Sequence, residues 1–156
     1  IAMLIAFLGL IAMLDALVQW GASFAGFTGE DAITLSGIIG YICFPIAFLM
    51  GIPTAECFDA GQLIGIKIFA NEFIAYEHLS GIVAEGDTLS PRSVIILTYA
   101  LSGFSNFSSI GVQIGGISAL ASNRRSDLAK LGFKAMLGGV IVCCMTGCIA
   151  GMLTQT

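Results

Sequence analysis

Long apolar blocks alternate with short polar ones along this chain, and the block lengths decide what kind of element each predicts. The hydrocarbon core of a bilayer is about 30 Å thick and takes roughly 20 residues of helix. By that measure residues 1–20, 33–52 and 135–153 each predict a membrane-spanning helix, because they are almost wholly aliphatic, aromatic or small. Residues 94–121 predict a fourth span, 28 residues long and free of charge. It is longer than a simple crossing needs. Gly103, Gly111, Gly115 and Gly116 interrupt it, so the reading is a tilted or broken helix.

Between residues 50 and 90 the pattern changes. The stretch 61–84, "GQLIGIKIFANEFIAYEHLSGIVA", is apolar at both ends but carries Lys67, Glu72 and Glu77. A straight span would put Glu72 near mid-bilayer and reverse the direction of every later crossing. A re-entrant hairpin over 61–84 avoids both: one arm runs over 61–70, the chain turns at Asn71, and a second arm starts at Glu72. Such backbone is tolerated at depth only inside protein or beside water. Lys67 and Glu77 lie symmetrically about the turn and are expected to pair. Arg124, Arg125, Lys130 and Lys134 outnumber Asp127 between the last two spans, which places that loop on the cytoplasmic side. The linker 83–90 then falls outside and 21–32 inside.

Composition turns this pattern into a class. Of 156 residues 57% are hydrophobic and 10% charged, with a mean hydropathy of +0.98, whereas a soluble domain is about one quarter charged. Lipid has to cover this exterior, so the expectation is an all-α, multi-pass integral membrane protein of the cell membrane. A net charge of -4 offers no basic face to nucleic acid. Cys43, Cys143, Cys144 and Cys148 sit in apolar runs, where thiols act as small hydrophobes. With no metal cluster, phosphate loop or nucleophile-base pair in view, an enzyme is not expected. Residues 1–20 have no basic leader or cleavage site, so they read as mature sequence and the chain as a fragment.

Two features call for more than packing. Read as one helix, Ser102, Asn106, Ser109 and Gln113 fall at i, i+4, i+7 and i+11 and share a face. Small polar residues often glue membrane helices together, and the spacings of Gly111 with Gly115 and Gly147 with Gly151 suit that role. A stripe that includes Asn and Gln is better explained by a wet cavity. Glu72 is the second feature, since an ionisable group at membrane depth marks a substrate, ion or proton pathway by default. At the start of a helix, its carboxylate would face free N-H groups and the positive dipole end. His78 reads as an interfacial residue, and Asp15 as facing a cavity or a partner.

These strings resemble a known family. "GIKIFANEFIAYEHLS" (65–80), "LSPRS" (89–93) and "TYALSGFSNFSSIGVQIGG" (98–116) are similar to the C-terminal half of concentrative nucleoside transporters, and the similarity runs from the first span through "NRRSDLAKLGFKAML" to the end. The resemblance implies a secondary transporter with inverted repeats, each holding a re-entrant hairpin and a broken helix, assembled as a homotrimer. It implies cation-coupled nucleoside uptake, driven by sodium or protons, with no covalently bound cofactor. By motif, Glu72 is expected to bind ribose hydroxyls, Asn106 and Ser109 to hold the same sugar, and Phe104 to lie beside the nucleoside. Ser102 and Ser105 depart from the family, whose members often have Cys and Ala there. The half that binds base and cation is expected N-terminal to this chain. The rival readings are a carrier for another polar solute and a non-transporting helical scaffold.

Overall fold

The computed structural model describes residues 2–24, 35–86 and 88–154. The described residues form helices joined by short connections: α1 (Ala2–Phe24), α2 (Leu35–Leu49), α3 (Cys57–Phe69), α4 (Glu72–Glu85), α5 (Pro91–Leu101), α6 (Phe107–Leu120), a 3-10 turn (Ser122–Arg124) and α7 (Arg125–Leu153). There is no strand among them. Most of the linker expected at 21–32, the first two residues of the span at 33–52, and Asp87 of the linker at 83–90 lie outside the described residues.

The stretch expected to turn back on itself is a helical hairpin. Its first arm starts at Cys57, earlier than the composition suggested, and its arms have 13 and 14 residues. At 1.5 Å per residue each reaches about 20 Å, short of a bilayer core. The turn falls at Ala70 and Asn71, and Asn71 caps α4 by accepting the Ile74 amide at 2.9 Å. The charge-free span is two helices, α5 and α6, separated by residues 102–106. The basic cluster is not a loop: Arg125, Lys130 and Lys134 lie on the opening turns of α7, which runs unbroken for 29 residues. The stretch Ser122–Leu153 is long and apolar enough to cross a bilayer.

The core sits where the first hairpin arm meets α2 and α5. Leu63 and Ile64 of α3 and Ile96, Leu97 and Leu101 of α5 are all buried. Small residues bring the backbones close. A Cβ at Gly61 would lie 2.5 Å from the Gly40 carbonyl oxygen, and one at Gly147 would lie 2.8 Å from that of Ile96. Helices in lipid associate through close approach of this kind, since apolar surface alone gives them little drive. Away from the break, Arg92 ties three helix ends together, donating to the Gly51 carbonyl at 2.6 Å and to the Gly151 carbonyl at 3.2 Å. Beside it Ser90 caps α5, and its amide and hydroxyl both donate to Glu56 at 3.1 Å. The exterior is apolar: Leu120 is 92% exposed, Leu49 81% and Phe73 78%.

Candidate functional site

The hairpin turn and the helix break meet. Glu72 is the first residue of α4, and its Oε2 accepts a hydrogen bond from the Asn106 side-chain amide at 2.8 Å. Asn106 is only 2% exposed and is the residue from which α6 starts. Its Oδ1 accepts the Ser109 amide at 2.7 Å, while its own amide donates to the Ser109 hydroxyl at 3.3 Å. This reciprocal arrangement is a capping box, which satisfies two backbone donors that a helix start leaves open. The Ser109 hydroxyl in turn donates to the Asn106 carbonyl at 2.7 Å. A carboxylate, a carboxamide and a hydroxyl are thus linked at the junction of two helix N-termini.

Phe104 stands two residues before Asn106 in the break and is 74% exposed. With Ser109, Gln113, Gly139 and Cys143 it lines a cavity of about 330 Å³ between the break, α6 and α7. Glu72 and Asn106 lie outside that lining. Among the expected site residues, Asn106 bonds both Glu72 and Ser109. Phe104 shares the cavity lining with Ser109 alone of these three.

Other expectations change. Ser102 does not share a face with Asn106, Ser109 and Gln113, because the helix stops between them. Ser102 ends α5 and donates to the Tyr99 carbonyl at 2.8 Å. Lys67 does not pair with Glu77, which is exposed on α4. Lys67 lies instead in the core, where its ammonium donates to the Ala100 carbonyl at 3.0 Å. Tyr76, one turn after Glu72, donates to the Thr98 carbonyl at 2.5 Å. Tyr76 carries no motif of its own in the sequence, although its i+4 spacing from Glu72 puts both on one helix face. In α1, Asp15 accepts from Gln19 at 2.8 Å. The break packs on α7 through Gly103, where any Cβ would collide with the Cys143 sulfur.

Residues 1–151 match the family model described as "Na+ dependent nucleoside transporter C-terminus". The chain belongs to this family. Members are transporters embedded in the cell membrane rather than enzymes. Among curated relatives it is 43% identical over 151 residues to the uncharacterized transporter YutK of Bacillus subtilis, covering 97% of the chain and 36% of the relative. It is 39% identical to human solute carrier family 28 member 3, covering 98% of the chain and 23% of that protein. The chain therefore spans about a third or less of these relatives. Among solved structures, CNTnw in an inward-facing substrate-bound state superposes with a TM-score of 0.86 at 37% identity, over 97% of this chain and 36% of that one. A CNTnw variant in an intermediate 3 state gives 0.92 at 36% identity, over 99% of this chain and 38% of that one.

Proposed function

We propose that this chain is the C-terminal transport region of a cation-coupled nucleoside transporter and supplies the ribose-binding half of its site. In this reading α1, α2, the broken pair α5–α6 and α7 are the four spans, and α3–α4 is a re-entrant hairpin reaching into the membrane from one side. Glu72 accepts from one ribose hydroxyl, Asn106 and Ser109 hold the same sugar from the helix break, and Phe104 covers the nucleoside from the side. The coupling cation, sodium or a proton, binds in the part of the protein that precedes these residues. Three copies of the complete transporter assemble as a homotrimer.

One observation carries the reading: the 2.8 Å contact between Glu72 and Asn106. It brings an acceptor-only carboxylate to an amide whose own oxygen is already spent on the cap, so the pair has fixed orientation. A carboxylate held this way suits a vicinal diol, whose hydroxyls each donate a proton. Glu72→Gln keeps the size but removes the charge and replaces one acceptor with a donor. Hydrogen bonds to charged groups contribute about 1.5–3 kcal/mol, so ribonucleoside affinity in the complete transporter should fall about tenfold or more. Discrimination against the matching deoxyribonucleoside should shrink as well, because the carboxylate that a missing hydroxyl would leave short of a hydrogen bond is gone. Binding of both sugars to the two proteins, with folding checked independently, makes the test. Equal loss for ribose and every deoxyribose analogue would take Glu72 out of the sugar site.

A further inference from the structure

Lys67 is 1% exposed and among the largest fully buried side chains, yet the proposed sugar site gives it no task. The one ion pair among the described residues is that of Arg124 with Asp127, so no carboxylate balances this ammonium. Burying a cation without a counter-ion is costly. Here a helix end takes that part. Ala100, whose carbonyl accepts from Lys67 Nζ at 3.0 Å, lies in the last turn of α5, where carbonyls lack following amides and carry the negative end of the helix dipole. A Cβ at Gly103 would come within 3.9 Å of the same nitrogen. The ammonium therefore lies against both the carbonyl end of α5 and the unwound backbone after it.

Carbonyl ends and unwound backbone of this kind, in transporters with interrupted helices, are where mobile coupling cations are coordinated. We propose that Lys67 is a tethered cation occupying such a position, so that the carbonyl side of this break is closed by the hairpin's own charge and takes no mobile ion. Lys67 is thus a positioning residue. It anchors the first hairpin arm to the end of α5, five residues before the turn delivers Glu72 to Asn106. The two contacts hold the hairpin to both ends of the break. Lys67 supplies charge to the carbonyl end and Glu72 accepts from the amide end. The consequence for transport rests on the sugar-binding reading above, whereas the role of the ammonium at the helix end does not.

The test uses the complete transporter and two variants. Lys67→Met keeps most of the stem without the charge, and Lys67→Ala leaves a space that ethylammonium fills. Amide hydrogen exchange across residues 98–106 is read first, without nucleoside. Exchange there should accelerate at least about tenfold in both variants, in line with loss of a charged hydrogen bond. Millimolar ethylammonium should slow it again in Lys67→Ala and leave Lys67→Met unchanged. Uridine and adenosine affinity is read second and should follow the exchange. Wild-type exchange in Lys67→Met, or a loss in Lys67→Ala that ethylammonium does not reverse, overturns the proposal. If Lys67→Ala fails to accumulate, Lys67→Met decides. If neither accumulates, expression with ethylammonium decides: recovered Lys67→Ala supports the tethered cation and continued absence overturns it. A rescued exchange pattern in a protein that binds neither nucleoside would leave Lys67 in place and remove the sugar-site reading instead.

Discussion

The two ends of the broken helix are finished in different ways. α6 starts from a device written into four consecutive residues, with the Asn106 side chain accepting the Ser109 amide at 2.7 Å and the Ser109 hydroxyl accepting the Asn106 amide at 3.3 Å. α5 ends on donors that mostly come from elsewhere. Tyr76 serves the Thr98 carbonyl, Lys67 serves the Ala100 carbonyl, and only the Tyr99 carbonyl is met locally, by Ser102. The amide end is therefore self-sufficient, whereas the carbonyl end is completed by the hairpin. Any displacement of α3–α4 strips α5 of two donors and leaves the α6 cap intact, so a movement of the hairpin is felt first at the end of α5.

Asn106 is where this separation is weakest, and its removal should have the largest effect. Its oxygen caps α6 while its amide nitrogen holds Glu72. Asn106→Ala loses a cap, typically about 1 kcal/mol, and also strands a charged acceptor, about 1.5–3 kcal/mol. The two losses share one side chain and need not add. A marked fall in the thermal midpoint of the complete transporter is expected, together with nucleoside binding too weak to measure. Asn106→Asp separates the two roles, because aspartate caps as well as asparagine but sets a second carboxylate against Glu72. Stability should partly return and binding should not. An unchanged midpoint in Asn106→Ala would mean that the hairpin and α6 are not joined through this residue.

The contrast also explains what could be read from the sequence. The turn at Asn71 was legible because an Asn that caps the following helix and a carboxylate in its first turn are local signals. The interruption of residues 94–121 was legible from their length and glycines. Where the interruption falls was not, because a stripe of Ser102, Asn106, Ser109 and Gln113 fits an unbroken helix equally well. The partner of Lys67 was hidden for a different reason. Side-chain charges can be counted along a sequence, and Glu77 was the available one. The acceptor used is a backbone carbonyl, which every residue owns and which becomes special only where a helix stops. The basic residues 124–134 break the apolar pattern and so suggest a loop, but charge by itself does not stop a helix, and α7 runs through Arg125, Lys130 and Lys134.

Tyr76→Phe sharpens the comparison from the carbonyl side. It removes one donor and keeps the ring, leaving the Thr98 carbonyl without its 2.5 Å partner. Hydrogen bonds between helices in membrane proteins average about 0.6 kcal/mol and reach about 1.7, so the thermal midpoint should fall by much less than in Asn106→Ala. The location of the change is more telling than its size. Hydrogen exchange should accelerate in the last turn of α5 and stay at wild-type rates across the first turn of α6. Equal acceleration in both would show that the two ends open together rather than independently.

Ser109→Ala should have the smallest effect on folding. Its hydroxyl donates to the Asn106 carbonyl at 2.7 Å and accepts the Asn106 amide at 3.3 Å, and both interactions are lost. The stronger half of the cap survives, because the bond from Ser109 to Asn106 Oδ1 uses the backbone amide, which alanine also has. Alanine also has the higher helix propensity, which offsets part of the loss. The expected net destabilisation is about 0.5 kcal/mol or less. The same hydroxyl keeps a free lone pair in the proposed sugar site, so nucleoside affinity should drop about fivefold, clearly more than folding stability does. Thermal unfolding and nucleoside binding measured on the same preparation separate the two. A midpoint that falls as far as in Asn106→Ala would move the cap of α6 from the asparagine to the serine. If affinity instead stays at the wild-type value, Ser109 is a capping residue with no hold on the sugar.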